Sequence, residues 1–482
     1  MRGSAWAAAL PVLALGGCLV GPDYKAPTPP AGGEAPLVSL NRSAETNDLP
    51  PDEWWRLYAD PRLDGYIREA IAANYDLAAA EANLAASRAT LEAARTGLYP
   101  STSVELGAIY GRDPTTDEIL ELGGRRPKSG WIFDDLLDVS YELDLFGHVH
   151  RSIEAVRDDS EAVQAARDDL KVTLVAETAR AYGDLCTLGE QMAVAEHSLT
   201  IVGHEADIAA QRHGVGGNAE FDVVRVQQEV AQVRSEIPPL QGKRRAALFE
   251  LAALLGRPPS RAPNEALSCV VPPHLVSLLP VGDGSALLKR RPDIREAERS
   301  LAGSTARIGV ATAELYPRIN LLGTYGAVAG NLSNLTAESG LAWGVGPSIN
   351  WEFPNQAAPR ARIRAAEAGA AQALSKFDSA VVWALKETES ALATYGAELD
   401  RRAALADAQA KAHRAFDLAR GQLSAGSISA LDLLTTEQTM VGADSAVAAS
   451  DTALVQDQIA VFKALGGGWQ IVPPVNRDRP AS

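Results

Sequence analysis

Residues 77–100 read LAAAEANLAASRATLEAARTGLYP, and residues 294–317 read IREAERSLAGSTARIGVATAELYP. Leu77, Leu84, Leu91 and Leu98 step by seven into Tyr99-Pro100, and Ile294, Leu301, Ile308 and Leu315 step by seven into Tyr316-Pro317. A strict seven-residue apolar repeat predicts a helix that supercoils left-handed against its neighbours, and proline ends it. A second pair of segments repeats in the same order. Gly216, Phe221-Asp222-Val223-Val224 and Leu255-Gly256 return as Gly426, Leu431-Asp432-Leu433-Leu434 and Leu465-Gly466. The chain reads as one design written twice.

Each heptad helix leads into segments that alternate with period two, the signature of half-buried strands. Val104, Leu106, Ala108 and Tyr110 share one face; Leu137, Val139, Tyr141, Leu143 and Leu145 share another. Ile319, Leu321, Tyr325 and Ala327 form the third set, and Trp343, Val345, Ile349, Trp351 and Phe353 the fourth. Two readings are open: soluble hairpins covering a core, or a transmembrane barrel wall with lipid outside and water inside. Strands of about ten residues suit a tilted spanning strand, and Tyr141, Trp343, Trp351 and Phe353 suit an aromatic girdle. Pro347 counts against a regular ladder. The wall is the favoured reading.

After the strands, helical pattern runs unbroken from about Arg151 to Arg212 and from about Arg360 to Leu423. Helices of that length need a partner alongside. Each is followed by a Gly-containing turn and a return helix ending at Leu255-Gly256 or Leu465-Gly466. The predicted domains are a signal peptide (1–17), a lipidated strap (18–60), two structural repeats (61–275 and 276–466) and a tail (467–482). Four strands cannot close a barrel, and open edges are not tolerated in lipid, so oligomerisation is expected. Three copies would give twelve strands, an even number in the range of outer-membrane barrels.

The N-terminus reads as an export signal, with Arg2 as the charged region and Ala5 to Leu15 as the apolar one. Leu15-Gly16-Gly17-Cys18 resembles a bacterial lipobox, which would make acylated Cys18 the mature N-terminus; the alternative is a plain signal peptide. Leu19 after the cysteine, rather than Asp, favours the outer membrane by analogy with bacterial lipoproteins. The remaining cysteines, Cys186 and Cys269, are either a disulfide of an exported protein or two buried thiols. The 482 residues carry a formal charge of −16, which disfavours nucleic acid as a partner. No stretch past the N-terminus has the run of apolar residues needed for a spanning helix. His148 and His150 lack a completing cluster of ligands, and no nucleophile elbow, P-loop or zinc motif is present. No enzyme, cofactor or metal is expected.

The chain resembles the TolC-like outer-membrane factors, in the lipoprotein branch that serves resistance–nodulation–division efflux pumps, the NodT branch. The resemblance covers nearly the whole chain. It rests on Cys18-Leu19-Val20-Gly21-Pro22-Asp23-Tyr24, Trp55-Arg56-Leu57-Tyr58, Asn74-Tyr75-Asp76-Leu77, Ser140-Tyr141-Glu142-Leu143-Asp144-Leu145-Phe146-Gly147 and Leu288-Lys289-Arg290-Arg291-Pro292-Asp293-Ile294-Arg295. It implies a mainly α fold with a transmembrane β part. In that fold a homotrimer shares a 12-stranded β-barrel and a periplasmic α-barrel, and docks to a periplasmic adaptor and an inner-membrane transporter. It also implies a passive exit duct for small amphiphilic compounds, gated at the periplasmic helix tips within Ser427 to Gln438. There Leu431 stands where relatives carry an apolar plug, Asp432 where they carry a gating aspartate, and Thr435 where many carry a further acid. Asp432 has a second reading, as the partner of Ser429 in a capping box. Arg290 and Arg291 read as structural, with Pro292 in a first helical turn and Asp293 at its positive end. The alternatives are a type I protein-secretion duct, in the same class, and a periplasmic coiled-coil adaptor or scaffold, in another.

Overall fold

A computed structural model describes residues 19–33, 35–39, 45–46, 48–112, 129–217, 219–275, 277–282 and 284–470, except the side chains of residues 284–286, 430 and 431. Cys18 and the Leu431 side chain therefore lie outside the described residues. The same order of elements occurs twice. The first series is α1 (Pro61–Ala73), α2 (Tyr75–Arg95), β2 (Ser101–Gly111), β3 (Gly130–Leu143), α3 (His148–Gly214) and α4 (Glu220–Leu254). The second is α5 (Gly284–Arg290), α6 (Pro292–Ala313), β5 (Arg318–Ala329), β6 (Leu341–Asn350), α7 (Ala357–Ser424) and α8 (Ala430–Ala464). Short strands β1 (Glu45–Thr46) and β4 (Leu279–Pro280) pair in parallel. No described helix is long and apolar enough to cross a membrane.

The helical pattern that runs from about Leu63 to Leu98 is divided at Asn74. That residue leaves the helical region (φ −66°, ψ 131°) and its Oδ1 accepts from Leu77 N at 3.0 Å. Its Nδ2 donates to Leu254 O at 3.1 Å, closing the end of α4. A side chain that satisfies two helix ends at once terminates one helix and starts the next.

Glycine punctuates the long helices. Gly216, Gly256, Gly426 and Gly466 all have positive φ. In each, the following amide bonds back across five residues: Gly217 N to Arg212 O (2.8 Å), Arg257 N to Ala252 O (2.8 Å), Ser427 N to Gln422 O (2.9 Å) and Gly467 N to Phe462 O (3.5 Å). This is the Schellman arrangement, which requires a left-handed residue that glycine adopts without penalty. Hairpins α3–α4 and α7–α8 thus turn by the same device.

The chain forms two compact units. One consists of the described residues within Met1–Pro27, Leu84–Val163 and Ala297–Phe377; the other of those within Thr28–Asn83, Gln164–Glu296 and Asp378–Ser482. The first contains the four-stranded sheet. The second holds the apolar core, in which Trp54, Trp55, Leu63, Ile67, Tyr182, Leu251 and Phe462 are buried. Trp54 stacks on Phe462 with ring centroids 4.6 Å apart, and Trp55 Nε1 donates to Asp64 at 3.1 Å. Within this core Cys186 of α3 and Cys269, beyond α4, form a disulfide with Cα atoms 4.7 Å apart.

The disulfide spans a sequence separation of 83 residues; by loop-closure entropy, that is worth about 4 kcal/mol. Removing it as Cys186→Ala with Cys269→Ala should lower the helical melting temperature by several degrees under oxidising conditions; an unchanged melt would show that the bond adds nothing. Trp54→Ala should cost about 3–5 kcal/mol, the usual price of emptying a buried indole site, read from the same melt.

Candidate functional site

The sheet has the order β2-β3-β5-β6, antiparallel throughout, with β2 and β6 as open edges. Directly opposed residues share a face. The register aligns Val104, Leu137, Tyr325 and Trp343 in one row across all four strands. Neighbouring rows on that face carry Leu106, Val139, Tyr141, Leu321, Val345 and Ile349. The other face carries Ser101, Ser103, Glu105, Asp138, Ser140, Glu142, Asn320, Thr324 and Ser348. Thr324 Oγ1 donates to Asp138 Oδ1 at 2.6 Å across that polar side. Leu106, Trp343 and Val345 are each more than two-thirds exposed on the apolar side. At about 1.5–3 kcal/mol for each large apolar side chain, a whole face of them disfavours water strongly. Pro347 sits in an edge strand, where a missing donor is tolerated.

Aromatic side chains gather at both ends of the strands. Tyr141 lies near the end of β3 that leads to α3, on the apolar face opposite Leu321. Trp351 and Phe353 fall just past β6, stacked at 4.7 Å, with Trp351 Nε1 donating to Leu315 O at 3.0 Å. Phe146 and Tyr316 stack at 4.5 Å at the same end. Tyr110 against Trp131 (5.5 Å) and Trp131 against Phe133 (5.8 Å) mark the far end, whereas Trp343 lies level with Leu137 midway along β3. Trp131 and Phe133 escaped the sequence reading because Asp134-Asp135 interrupts the alternation. Asp135 faces the apolar side, level with Leu106 and Ala327.

Residues 19–24 are clamped beside the exit of β3. Val20 N donates to Phe146 O (3.4 Å), and Val20 O accepts from Arg151 Nε (3.3 Å). Arg151 is 2% exposed and holds Asp23 at 2.7 Å and Glu154 at 2.8 Å. Gly21 has φ +88°, and a Cβ there would lie 2.5 Å from the Gly309 Cα. Tyr24 OH donates to Glu298 Oε1 at 2.9 Å, with the Arg299 guanidinium 5.6 Å from the ring centroid. Each residue of Gly21-Pro22-Asp23-Tyr24 except the proline thus has a contact that names its side chain. Arg151 and Gly309 carried no signal in the sequence. Gly21→Val should release this segment, and limited proteolysis should cut within residues 19–27 several-fold faster; an unchanged rate would mean the clamp does not depend on close approach.

At the start of α8, Asp432 and Ser429 form the capping box. Ser429 Oγ accepts from Asp432 N (3.2 Å), and Asp432 Oδ2 accepts from Ser429 N (3.0 Å) and from Ser429 Oγ (2.7 Å). These hydrogen bonds, from side chain and backbone, hold the Asp432 carboxyl below the usual range. Its repeat mate Asp222 accepts from Ala219 N at 3.3 Å. Leu433, Leu434 and Met440 are buried, Leu433 and Met440 in a cluster with Ala412, Phe416 and Ala419 of α7. Asp432, Thr435 and Thr439 lie exposed at helical spacing on another face. Asp432 therefore caps the helix and presents its charge to solvent together.

The chain matches the outer membrane efflux protein family over residues 66–257 and 284–467. It belongs to that family. It is 30% identical over 467 residues to the pyoverdine export outer membrane protein OpmQ of Pseudomonas putida, covering 93% of this chain and 95% of that one. It is 26% identical to nodulation protein T of Rhizobium leguminosarum bv. viciae, over 99% of this chain and 95% of that one. Among solved structures, the outer-membrane channel OprN superposes with a TM-score of 0.85 at 33% identity, over 94% of this chain and all of that one.

This efflux-family chain has the TolC-like outer-membrane channel fold, and its relatives are efflux channels rather than enzymes. It is an outer-membrane protein of efflux. The periplasmic adaptor alternative gives way to that membership. The arginines at the end of α5 have structural partners, as their sequence position implied. Arg291 reaches Asp293 (2.7 Å), Glu387 (2.8 Å) and Ala464 O (2.7 Å), so it caps the end of α8. Arg290 holds Asp52 at 3.3 Å. His150 Nδ1 lies 2.6 Å from Asp144 Oδ2, and His148 Nδ1 lies 3.3 Å from Glu142 Oε1, so each histidine pairs with an acid at the β3 exit.

Proposed function

We propose that three copies of this chain close a twelve-stranded barrel in the outer membrane and serve as the passive exit duct of a tripartite efflux pump. The observation that supports this most is the sheet: one apolar face, one polar face and two unpaired edges. Lipid accepts the first, water the second, and only closure by further copies satisfies the third. Cys18 carries the lipid, and the clamp on residues 19–24 holds the segment that follows it beside the end of β3, where strand gives way to helix. The two repeats, 61–275 and 276–466, each supply a hairpin of strands and a hairpin of helices. A periplasmic adaptor and an inner-membrane transporter engage the helices, and the transporter supplies the energy. The cargo class is small amphiphilic compounds.

The constriction lies at the start of α8, around Leu431, Asp432 and Thr435. Threefold symmetry turns Asp432 into a ring of carboxylates, which attracts cations and resists anions. Thr435 adds no charge, so the ring is single. Tyr141, Trp351 and Phe353 sit in an interfacial girdle.

Two measurements test the reading. The chain purified from membranes should require detergent and run as a trimer; a detergent-free, folded, soluble monomer would overturn the barrel. In planar bilayers, Asp432→Ala should reduce cation preference or raise conductance. The wild-type preference should persist as pH falls to about 4, the ordinary carboxylate value, because the folded carboxyl titrates lower. Currents unchanged by Asp432→Ala would remove the ring from the gate.

A further inference from the structure

Five residues beyond Asp432, on the buried side of α8, stands Glu437. Its side chain is fully buried, and among the described residues no donor reaches either carboxylate oxygen. It lies on the face between Leu433 and Met440, the residues that pack against Phe416 and Ala419 of α7. The charged groups acting on it are both acids, Glu205 of α3 and Glu229 of α4. A buried carboxyl that receives no donor and faces two other acids favours its protonated form. Glu229 is itself held by Gln438 Nε2 at 2.6 Å. On α7, His413 is engaged with Asp444, two turns further along α8, at 2.7 Å. Ala412, Phe416 and Ala419 of α7 pack in the same cluster as Leu433 and Met440.

We propose that Glu437 is a proton-operated latch on the α7–α8 hairpin: protonated, it lets α8 pack against its neighbours; ionised, it drives α8 away from Glu205 and Glu229. Burial, followed by the charge of Glu205, pushes this carboxyl up to about 8 from its ordinary value near 4.5. The sign follows from linkage. Below about pH 4.5 both packed and released forms hold the proton, and packing is unopposed. As pH rises toward 8 the released form alone ionises, so release gains steadily, and above 8 the gain is complete. The tip is therefore tight in acid and loose in base. The latch itself rests on the α8 contacts, whereas its bearing on conduction rests on the constriction proposed around Asp432.

Hydrogen exchange on the full-length trimer in detergent tests it, with amide rates in 433–441 corrected for intrinsic pH dependence. Wild type should lose protection by about tenfold or more between pH 6 and pH 9, since the titration window exceeds one unit. Glu437→Gln, which cannot ionise, should keep its protection at both. Glu205→Gln should move the wild-type transition to lower pH, because it removes the nearest like charge. A loss of protection shared equally by wild type and Glu437→Gln, a flat wild-type profile, or an unmoved midpoint in Glu205→Gln overturns the latch. Bilayer conductance over the same pH range separates the two readings. If exchange switches with Glu437 while conductance stays flat, the latch stands and the constriction at Asp432 is misplaced.

Discussion

Hydrocarbon offers no hydrogen-bonding partner, and a sheet of four strands with two bare edges cannot end inside it. Every large feature of this chain is arranged around that prohibition. The apolar row Val104, Leu137, Tyr325 and Trp343 faces one way, and the serines, acids and asparagine of the same strands face the other. The sheet is therefore written for two solvents. Among the described residues a single copy leaves the edges of β2 and β6 unpaired, so the membrane itself demands assembly.

Residues 19–24 are fastened through a buried arginine, a glycine-on-glycine approach and a tyrosine hydrogen bond. These contacts fix where the segment after Cys18 runs relative to the β3 exit. In the other unit, Trp54 on Phe462 and the Cys186–Cys269 bond tie the strap and the loop after α4 into one core. At Asp432 the bonds that cap α8 also keep the carboxylate ionised.

The duplication makes the architecture economical and partly legible. Glycines at 216 and 426 turn the two long hairpins, and those at 256 and 466 end them, each through a left-handed residue that few others tolerate. Such positions can be read from a sequence because glycine has one conspicuous reason to be there. The heptads and the period-two strands can be read for a similar reason: side-chain spacing maps directly onto a helix or strand face. Reading failed where two local rules collided. Asp134-Asp135 hid the first half of β3, with its Trp131 and Phe133. Asn74 sits inside a continuous helical pattern, and the second helix end that its amide closes lies 180 positions away.

By itself the sequence determined the helices, the strands, their alternating faces and the repetition, since each is a matter of neighbours within a few residues. Kinship in sequence pointed to the family and to Asp432. Only tertiary structure decided the register that unites four apolar faces, the seat of Arg151 against Asp23, and the pairing of Cys186 with Cys269. It alone buried Glu437 beside Glu205, two residues that lie far apart along the chain. Burial and the approach of like charges depend on which helices meet, and no periodicity within one helix encodes its partner.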